Sequence, residues 1–313
     1  MHEDIRVELA SGAQMNLHVV GQGPWTVILE SGWLQWSPFW AAVQDELSTR
    51  YRSVAVDRLG LGASTAGQLP RSTYQVVDEL QEALLKANLH GPYVAVGAGF
   101  GALHTRVFAF REPTVRSLVL VDPVVEVLAR SKHFMTYRDR LDAQLQRWRG
   151  GVVSAWAALF SDWPGGMRGL PTSAARRIRR QITPEALFTM RSELGSLEES
   201  VQQVSSVGSP AMPCIVLSRP ASELQFAQSG GEDAAVTMQR KLAEQAPRGR
   251  HQIIQADGYV PIVAPAAIAR AIDQLTAESD LPEMAVGASR VSSPPPDAAR
   301  PPPPSRRSLT DDS

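Results

Sequence analysis

The stretch from Val94 to Gly101 constrains the fold of this chain more than any other. A short apolar run is followed by glycine at every second position (Gly97, Gly99 and Gly101) and then by a helical pattern. This is the frame of the strand-turn-helix motif G-x-S-x-G, in which a strained turn lifts a serine hydroxyl above a sheet. Gly99 stands in the serine position, so the motif predicts the scaffold while the reacting oxygen is missing.

Apolar runs alternate with amphipathic periodicity along much of the chain, which predicts right-handed crossovers and a mostly parallel sheet with helices on both faces. The predicted strands are Ile5–Ala10, Met15–Val20, Trp25–Glu30, Tyr51–Asp57, Pro92–Val96, Val115–Val121, Ala211–Leu217 and His251–Gln255. The predicted helices flanking them are Phe39–Leu47, Tyr74–Ala87, Asp233–Gln245 and Pro265–Leu275. The first two strands are joined by a hairpin signal. The fold class expected is therefore α/β.

The strand pattern stops between residues 125 and 207, where only helical segments follow one another. We expect residues 1–124 and 208–278 to form the core, and 125–207 to form an all-helical cap inserted after the sixth core strand. Residues 279–313 are rich in proline and should be a disordered tail. Within it, Pro301 to Arg306 fits the P-x-x-P-x-R pattern that SH3-type grooves bind. A solvated low-complexity tail is the alternative.

Bulk properties exclude several classes of function. The formal net charge is −1 and the chain has a single cysteine, Cys214. A nearly neutral chain gives no reason to expect nucleic acid as a partner, and a lone thiol cannot form an internal disulfide. No apolar run approaches a membrane span, and the first ten residues do not form a secretory signal. We therefore expect a soluble, cytoplasmic protein.

Five motifs occur in an order that resembles the α/β-hydrolase fold, and most closely the small lid-bearing hydrolases and esterases related to proline iminopeptidases. They are Val27–Gly32 as strand and oxyanion turn, Val56–Ser64 as the D-x-x-G-x-G-x-S turn, Gly91–Gly97 leading into the elbow, Leu118–Pro123, and Pro265–Ile272 as the closing helix. The resemblance covers about residues 3–277 and implies an α/β-hydrolase fold, a Ser-His-Asp triad and an oxyanion hole.

This chain departs from that triad at each position. Gly99 replaces the nucleophile, and the histidine place falls on Gly258 or, with one residue of slack, on Tyr259. Glu223 is the carboxylate nearest to the usual position of the acid, and Asp122 is an alternative. Because glycine cannot form an acyl-enzyme and a phenol is a poor base near neutral pH, the triad is predicted to be degenerate.

Other groups near the same turns could support different chemistry. His104 and Ser31 are candidates, although packing is the more ordinary role for each. We expect the pocket to be lined from the oxyanion turn and the residue after the elbow: Gly32, Trp33, Leu34, Trp36 and Phe100. No residue spacing supports a metal site, and no cofactor is expected.

Two functions follow from these expectations. The first is a non-hydrolytic homologue that binds a small apolar ligand under the cap, or a protein partner. The alternative is an enzyme of the same fold, an esterase-like hydrolase or a cofactor-free lyase or cyclase, that uses relocated groups in the same pocket. The predicted cap is basic, with its densest run at Arg176–Arg180, which favours a solvated helix face or docking to an acidic partner.

Overall fold

An eight-stranded sheet forms the centre of the computed structural model, which describes residues 2–130, 132–147, 169–181, 183–220 and 232–279. The strand order is β1-β2-β4-β3-β5-β6-β7-β8; β2 is antiparallel to β1 and β4, and every other neighbouring pair is parallel. This confirms the mostly parallel sheet. The strands are β1 His2–Glu8, β2 Gln14–Val20, β3 Thr26–Glu30, β4 Arg52–Asp57, β5 Tyr93–Ala98, β6 Val115–Val121, β7 Cys214–Ser218 and β8 Arg250–Ile253.

The helices that flank this sheet begin and end close to the predicted positions. They are α1 Ala41–Leu47, α2 Thr73–Lys86, α3 Gly101–Arg111, α4 Glu126–Ala129, α5 Lys132–Arg147, α6 Thr172–Arg180, α7 Pro184–Gly195, α8 Leu197–Val207, α9 Glu232–Glu244, α10 Val260–Val263 and α11 Pro265–Ser279. The predicted helix Phe39–Leu47 is divided, because a 3₁₀ turn with proline in its first turn occupies Ser37–Trp40 before α1 begins.

The two faces of the sheet carry separate apolar clusters. Successive residues of a strand point to opposite faces, so Ile28 packs in one cluster while Val27 and Leu29 pack in the other. The cluster around Ile28 includes side chains from α2, α3, α8 and α9, whereas the other cluster includes side chains from α1 and α11. The sheet is therefore covered on both faces, as the continuous apolar strands indicate.

Described residues between β6 and β7 are helical, and we call residues 125–207 the cap segment. One of its helices supplies hydrogen-bond acceptors to the core: the first-turn N–H groups of α2 at Thr73 and Tyr74 donate to Ser200 Oγ at 3.1 Å and Gln203 Oε1 at 2.8 Å. Helix N-termini leave such N–H groups without intrahelical acceptors, and here α8 provides the acceptors. The boundaries of the cap, residues 125–207, stay a prediction.

The carboxyl ends of β3, β4, β5 and β6 lie side by side, with Glu30 in register with Gly97 on β5. The turns that leave these ends carry Ser31, Arg58, Gly99 and Asp122 in that order along the chain. Ligand sites of open α/β sheets lie at such an edge, so the topology places the predicted site residues at one location. The predicted tail beyond Ser279, including Pro301–Arg306, lies outside the described residues.

Candidate functional site

The turn between β5 and α3 retains the backbone shape of an elbow. Gly99 has φ +53°, its N–H donates to the Val121 carbonyl at 2.8 Å, and its carbonyl accepts from the Val124 N–H at 3.0 Å. Such a positive φ is strained for most residues and easy for glycine. A Cβ at Gly99 would meet nothing nearer than the Gly32 Cα, at 3.9 Å. The site therefore has room for the side chain that it lacks.

The flanking glycines have no such room. A Cβ at Gly97 would lie 2.8 Å from the Ala102 Cα, and one at Gly101 would lie 2.6 Å from the Glu30 carbonyl oxygen. Close approach of helix α3 to the strand ends thus requires glycine at both positions. The two flanking positions serve packing, whereas Gly99 is the position that faces open space.

Arg58 fixes the turn after β3. Its side chain is fully buried, and it donates to the carbonyl oxygens of Ser31 at 2.8 Å and Gly32 at 3.1 Å. Leu34, two residues later, has φ +65° and is buried. Ser31 is also buried, and its hydroxyl accepts a hydrogen bond from Trp40 Nε1 at 2.8 Å. The Ser31 hydroxyl is therefore committed to a core contact.

Arg58 also joins two buried carboxylates. Its Nε donates to Glu193 Oε1 at 2.7 Å and its Nη1 to Glu30 Oε1 at 2.9 Å. Burial would raise the pKa of Glu30, but the charge of Arg58 and a hydrogen bond from His104 outweigh it and hold the pKa below its usual value. Burial opposes the charge of Arg58 as well, yet the two glutamates raise its pKa further. The group is thus a buried ion cluster.

His104 belongs to that cluster. Its Nδ1 lies 3.1 Å from Glu30 Oε1, and its ring meets the ring of Phe100 edge-on at 5.3 Å. Both residues are buried, and Nε2 of His104 has no hydrogen-bond partner among the described residues. The imidazole is therefore held beside the elbow helix by a carboxylate and an aromatic ring.

Tyr259 is one of the two residues, with Gly258, at which the resemblance puts a histidine. Gly258 before it is buried with φ +132°, and the Tyr259 ring meets Phe39 edge-on at 6.2 Å. The residue is partly exposed, but its hydroxyl is buried. Burial raises the pKa of Tyr259 far above its ordinary value, against the opposing effects of the Gly32 N–H and the Arg58 charge. The phenol therefore keeps its proton at neutral pH and lies against the oxyanion turn.

Asp122, the alternative acid, has a cationic partner. It has φ +43°, and its carboxylate accepts from the Arg219 N–H at 2.7 Å and from Arg219 Nε at 2.5 Å. The two side chains are equally well buried. This ion pair links the end of β6 to the turn after β7. Glu223, the other candidate, lies outside the described residues.

The aromatic residues after the oxyanion turn contact the cap segment. Trp33 Nε1 donates to the Met190 carbonyl at 2.8 Å, and Trp36 Nε1 donates to Gln181 Oε1 at 2.7 Å. Trp36 is fully buried, whereas Trp33 is partly exposed. The apolar cluster at this junction consists of Leu34, Trp36, Phe39, Leu61, Ile178, Ala186, Met190, Leu194 and Ile262. The wall of the expected pocket is thus built from both parts of the chain.

Gly32, Gly99, Phe100 and Asp122 lie in or beside turns at one edge of the sheet, and Tyr259 lies beside Gly32 there. Sequence reasoning missed the ion cluster. A signal existed for two of its members, because Glu30 ends the apolar strand β3 and Arg58 directly follows the buried strand β4. Glu193 has no such signal, since helix α7 carries it 135 residues from Arg58.

The described residues contain no group of three or more His, Cys, Asp or Glu side chains suited to a metal ion. Within the same ranges, no helix has the length and hydropathy needed to cross a membrane.

Comparisons with known proteins agree with the topology. Residues 26–159 match the family model described as alpha/beta hydrolase fold. A stretch of 110 residues is 40% identical to pimeloyl-[acyl-carrier protein] methyl ester esterase of Chromobacterium violaceum, covering 34% of this chain and 41% of that protein. A stretch of 109 residues is 28% identical to the uncharacterised Bacillus subtilis protein YqjL, covering 34% and 43%. The chain thus spans less than half the length of these curated relatives.

Solved structures are similar over nearly the whole core. A variant of a proposed epoxide hydrolase from Pseudomonas aeruginosa has a TM-score of 0.71 at 18% identity, covering 88% of this chain and 96% of that one. An esterase from Thermogutta terrifontis has a TM-score of 0.67 at 18% identity, covering 88% and 98%. Together with the sheet order and the elbow, these similarities show that the chain has the α/β-hydrolase fold.

Proposed function

We propose that this protein is a non-hydrolytic α/β-hydrolase homologue that binds a small apolar ligand between the elbow and the cap segment. The proposal rests mainly on the residues found at two positions, Gly99 and Tyr259. Gly99, at the position predicted for the nucleophile, has no side chain, and the residues predicted for the base are Gly258 and Tyr259, of which Tyr259 has a hydroxyl that burial keeps protonated. Serine hydrolysis needs a hydroxyl and a base that accepts its proton, and neither is present at these positions.

The other groups near the site are committed to structural partners. Ser31 accepts from Trp40, His104 pairs with Glu30, and Asp122 pairs with Arg219. A relocated nucleophile and base must lie within hydrogen-bond reach of each other. Among the described residues, no hydrogen bond joins Ser31 to His104, and the Ser31 hydroxyl oxygen accepts a hydrogen bond in the core. This favours binding over a relocated hydrolase.

An apolar ligand fits the composition of the wall. The cluster where the oxyanion turn meets the cap segment is aliphatic and aromatic, and Trp33 at its edge is partly exposed. Small-molecule sites are typically lined by such side chains with a few polar groups that orient the ligand. Here the Tyr259 hydroxyl and the backbone of Gly32 supply the polar groups.

The first test measures hydrolysis. The wild-type protein is assayed with p-nitrophenyl esters and a fluorophosphonate probe, beside Gly99→Ser and Gly99→Ser/Tyr259→His variants, with Gly99→Ala as the matched control for a side chain at the elbow. We expect no turnover or labelling of wild type and Gly99→Ala, and labelling only where both serine and histidine are restored. Wild-type ester turnover that disappears in Ser31→Ala would refute the proposal.

The second test identifies the ligand. Small molecules that co-purify with the full chain are extracted and identified by mass spectrometry, and binding is followed by quenching of tryptophan emission. A Trp33→Phe variant should lose much of the quenching. Trp25→Phe is the matched control, because Trp25 precedes β3 at the opposite end of the strand. If the ligand quenches the emission of both variants equally, it binds at a place remote from Trp33.

A further inference from the structure

We propose that helix α6 of the cap segment is a docking surface for an acidic protein. The nine residues of α6, Thr172–Arg180, include four arginines and no carboxylate. Arg176, Arg179 and Arg180 are exposed. Within the described residues, these three side chains form no salt bridge. The inference rests on this surface and is independent of the proposed ligand site.

The helix is anchored by its other face. Ala174 and Ile178 are buried, and Ile178 belongs to the apolar cluster that contains Trp36. Arg177 is drawn toward the core, where it lies 3.3 Å from Ser37 Oγ and 3.9 Å from Asp4 Oδ1. Asp4 thus lies near the inward arginine, whereas the three outward arginines form a positive face without a salt bridge to any described residue.

The exposed face favours a protein over a membrane. A helix that lies on lipid presents an apolar face to the bilayer, but the apolar residues of α6 are already buried and the exposed positions are Thr172, Ser173 and the arginines. Arginine pairs with carboxylates through two parallel hydrogen bonds. The partner expected is thus a protein with clustered Asp and Glu side chains.

Cations in the last turn of a helix also interact favourably with the helix dipole. This is the competing explanation for the arginines of α6. The dipole accounts for the arginines of the last turn, Arg177, Arg179 and Arg180, but not for the exposed Arg176 before them. Docking here would also reach the candidate site, because Gln181, the next residue, accepts the hydrogen bond from Trp36 Nε1.

The test uses the full chain with fluorescein-labelled poly-L-glutamate as the probe, measured by anisotropy. The Arg176→Gln/Arg179→Gln/Arg180→Gln variant is compared with a control that loses the same charge at exposed positions elsewhere, Arg6→Gln/Arg116→Gln/Arg270→Gln. We expect roughly tenfold weaker binding for the first variant and little change for the control, with binding to wild type declining in high salt.

Circular dichroism checks that both variants remain folded, since substitutions at exposed positions usually change stability little. Equal losses in the two variants, or no loss in either, would overturn the proposal in favour of a solvated helix face. Phosphatidylglycerol vesicles form the second arm of the test. Vesicle binding that is tighter than poly-L-glutamate binding and survives high salt would assign the surface to lipid instead.

Discussion

Replacing Arg58 with methionine tests the buried ion cluster. The five N–H groups of the guanidinium donate to the carboxylate of Glu193, the carboxylate of Glu30 and the carbonyl oxygens of Ser31 and Gly32. Removing one partner of a buried ion pair costs about 3–5 kcal/mol. Two carbonyl oxygens also lose their donor, at about 1–3 kcal/mol each. We therefore expect Arg58→Met to lower the free energy of unfolding by at least about 5 kcal/mol.

The assay is unfolding in guanidinium chloride followed by circular dichroism, with a thermal scan in parallel. At about 2 °C per kcal/mol for a chain of this size, the melting temperature should fall by about 10 °C or more. The control is Arg58→Met/Glu193→Leu/Glu30→Gln, which removes both carboxylates and keeps an acceptor for His104. Apolar replacement of a buried ion cluster is often neutral, so the triple variant should recover about 3–5 kcal/mol, the part of the loss due to the unpaired charges, and keep the part due to the Ser31 and Gly32 carbonyl oxygens.

Two results would refute this reasoning. A cost below about 1 kcal/mol for Arg58→Met would mean that water reaches the carboxylates, since exposed ion pairs contribute only that much. A triple variant that is as unstable as the single variant would mean that the carbonyl oxygens of Ser31 and Gly32, and not the buried charges, set the cost.

Three further predictions use matched positions or pH. Gly97→Ala should destabilise by about 3 kcal/mol, because its Cβ would lie 2.8 Å from the Ala102 Cα in helix α3, whereas Gly99→Ala should cost only about 1 kcal/mol of backbone strain; equal denaturation midpoints would contradict the difference in space around the two positions. Burial, with the nearby Arg240, lowers the pKa of His251 below 6.5. As pH falls below 6.5, the unfolded state therefore binds a proton at His251 more readily than the native state, and wild type should lose stability. The free energy of unfolding of His251→Asn should depend less on pH in this range. Parallel curves for the two proteins would argue against this. Burial raises the pKa of Cys214 to about 12, so iodoacetamide should alkylate the thiol only in denaturant, as mass spectrometry would show, and rapid labelling of native protein would contradict its burial.

The order of elements could be predicted because buried parallel strands appear as short apolar runs and the glycine frame marks one turn. The identity of Gly99 also predicted the missing hydroxyl directly. The position of the family's histidine could be narrowed only to Gly258 or Tyr259, because a turn can differ in length by one residue without changing the sequence pattern around it. The position of the Tyr259 hydroxyl against Gly32 depends on packing between β8 and the oxyanion turn, which periodicity does not report.

The ion cluster shows where sequence reasoning ends. Charged residues at strand ends predict only that some partner is needed. One partner of Arg58 is Glu193, on helix α7, where the sequence alone does not distinguish that glutamate from the exposed Glu185. Pairing at this distance along the chain follows from the way helix α7 packs, which local pattern does not determine.

The hydrogen bonds from Thr73 and Tyr74 to helix α8 have a consequence for how the chain folds as it is made. Helix α2 leaves the ribosome well before its acceptors, which lie 127 and 129 residues further along the chain at Ser200 and Gln203. Until those residues arrive, the first turn of α2 has only water for its N–H groups and remains frayed. The core and the cap segment therefore complete each other late and together, and a chain shortened by removal of 125–207 would be left with an unfinished core helix.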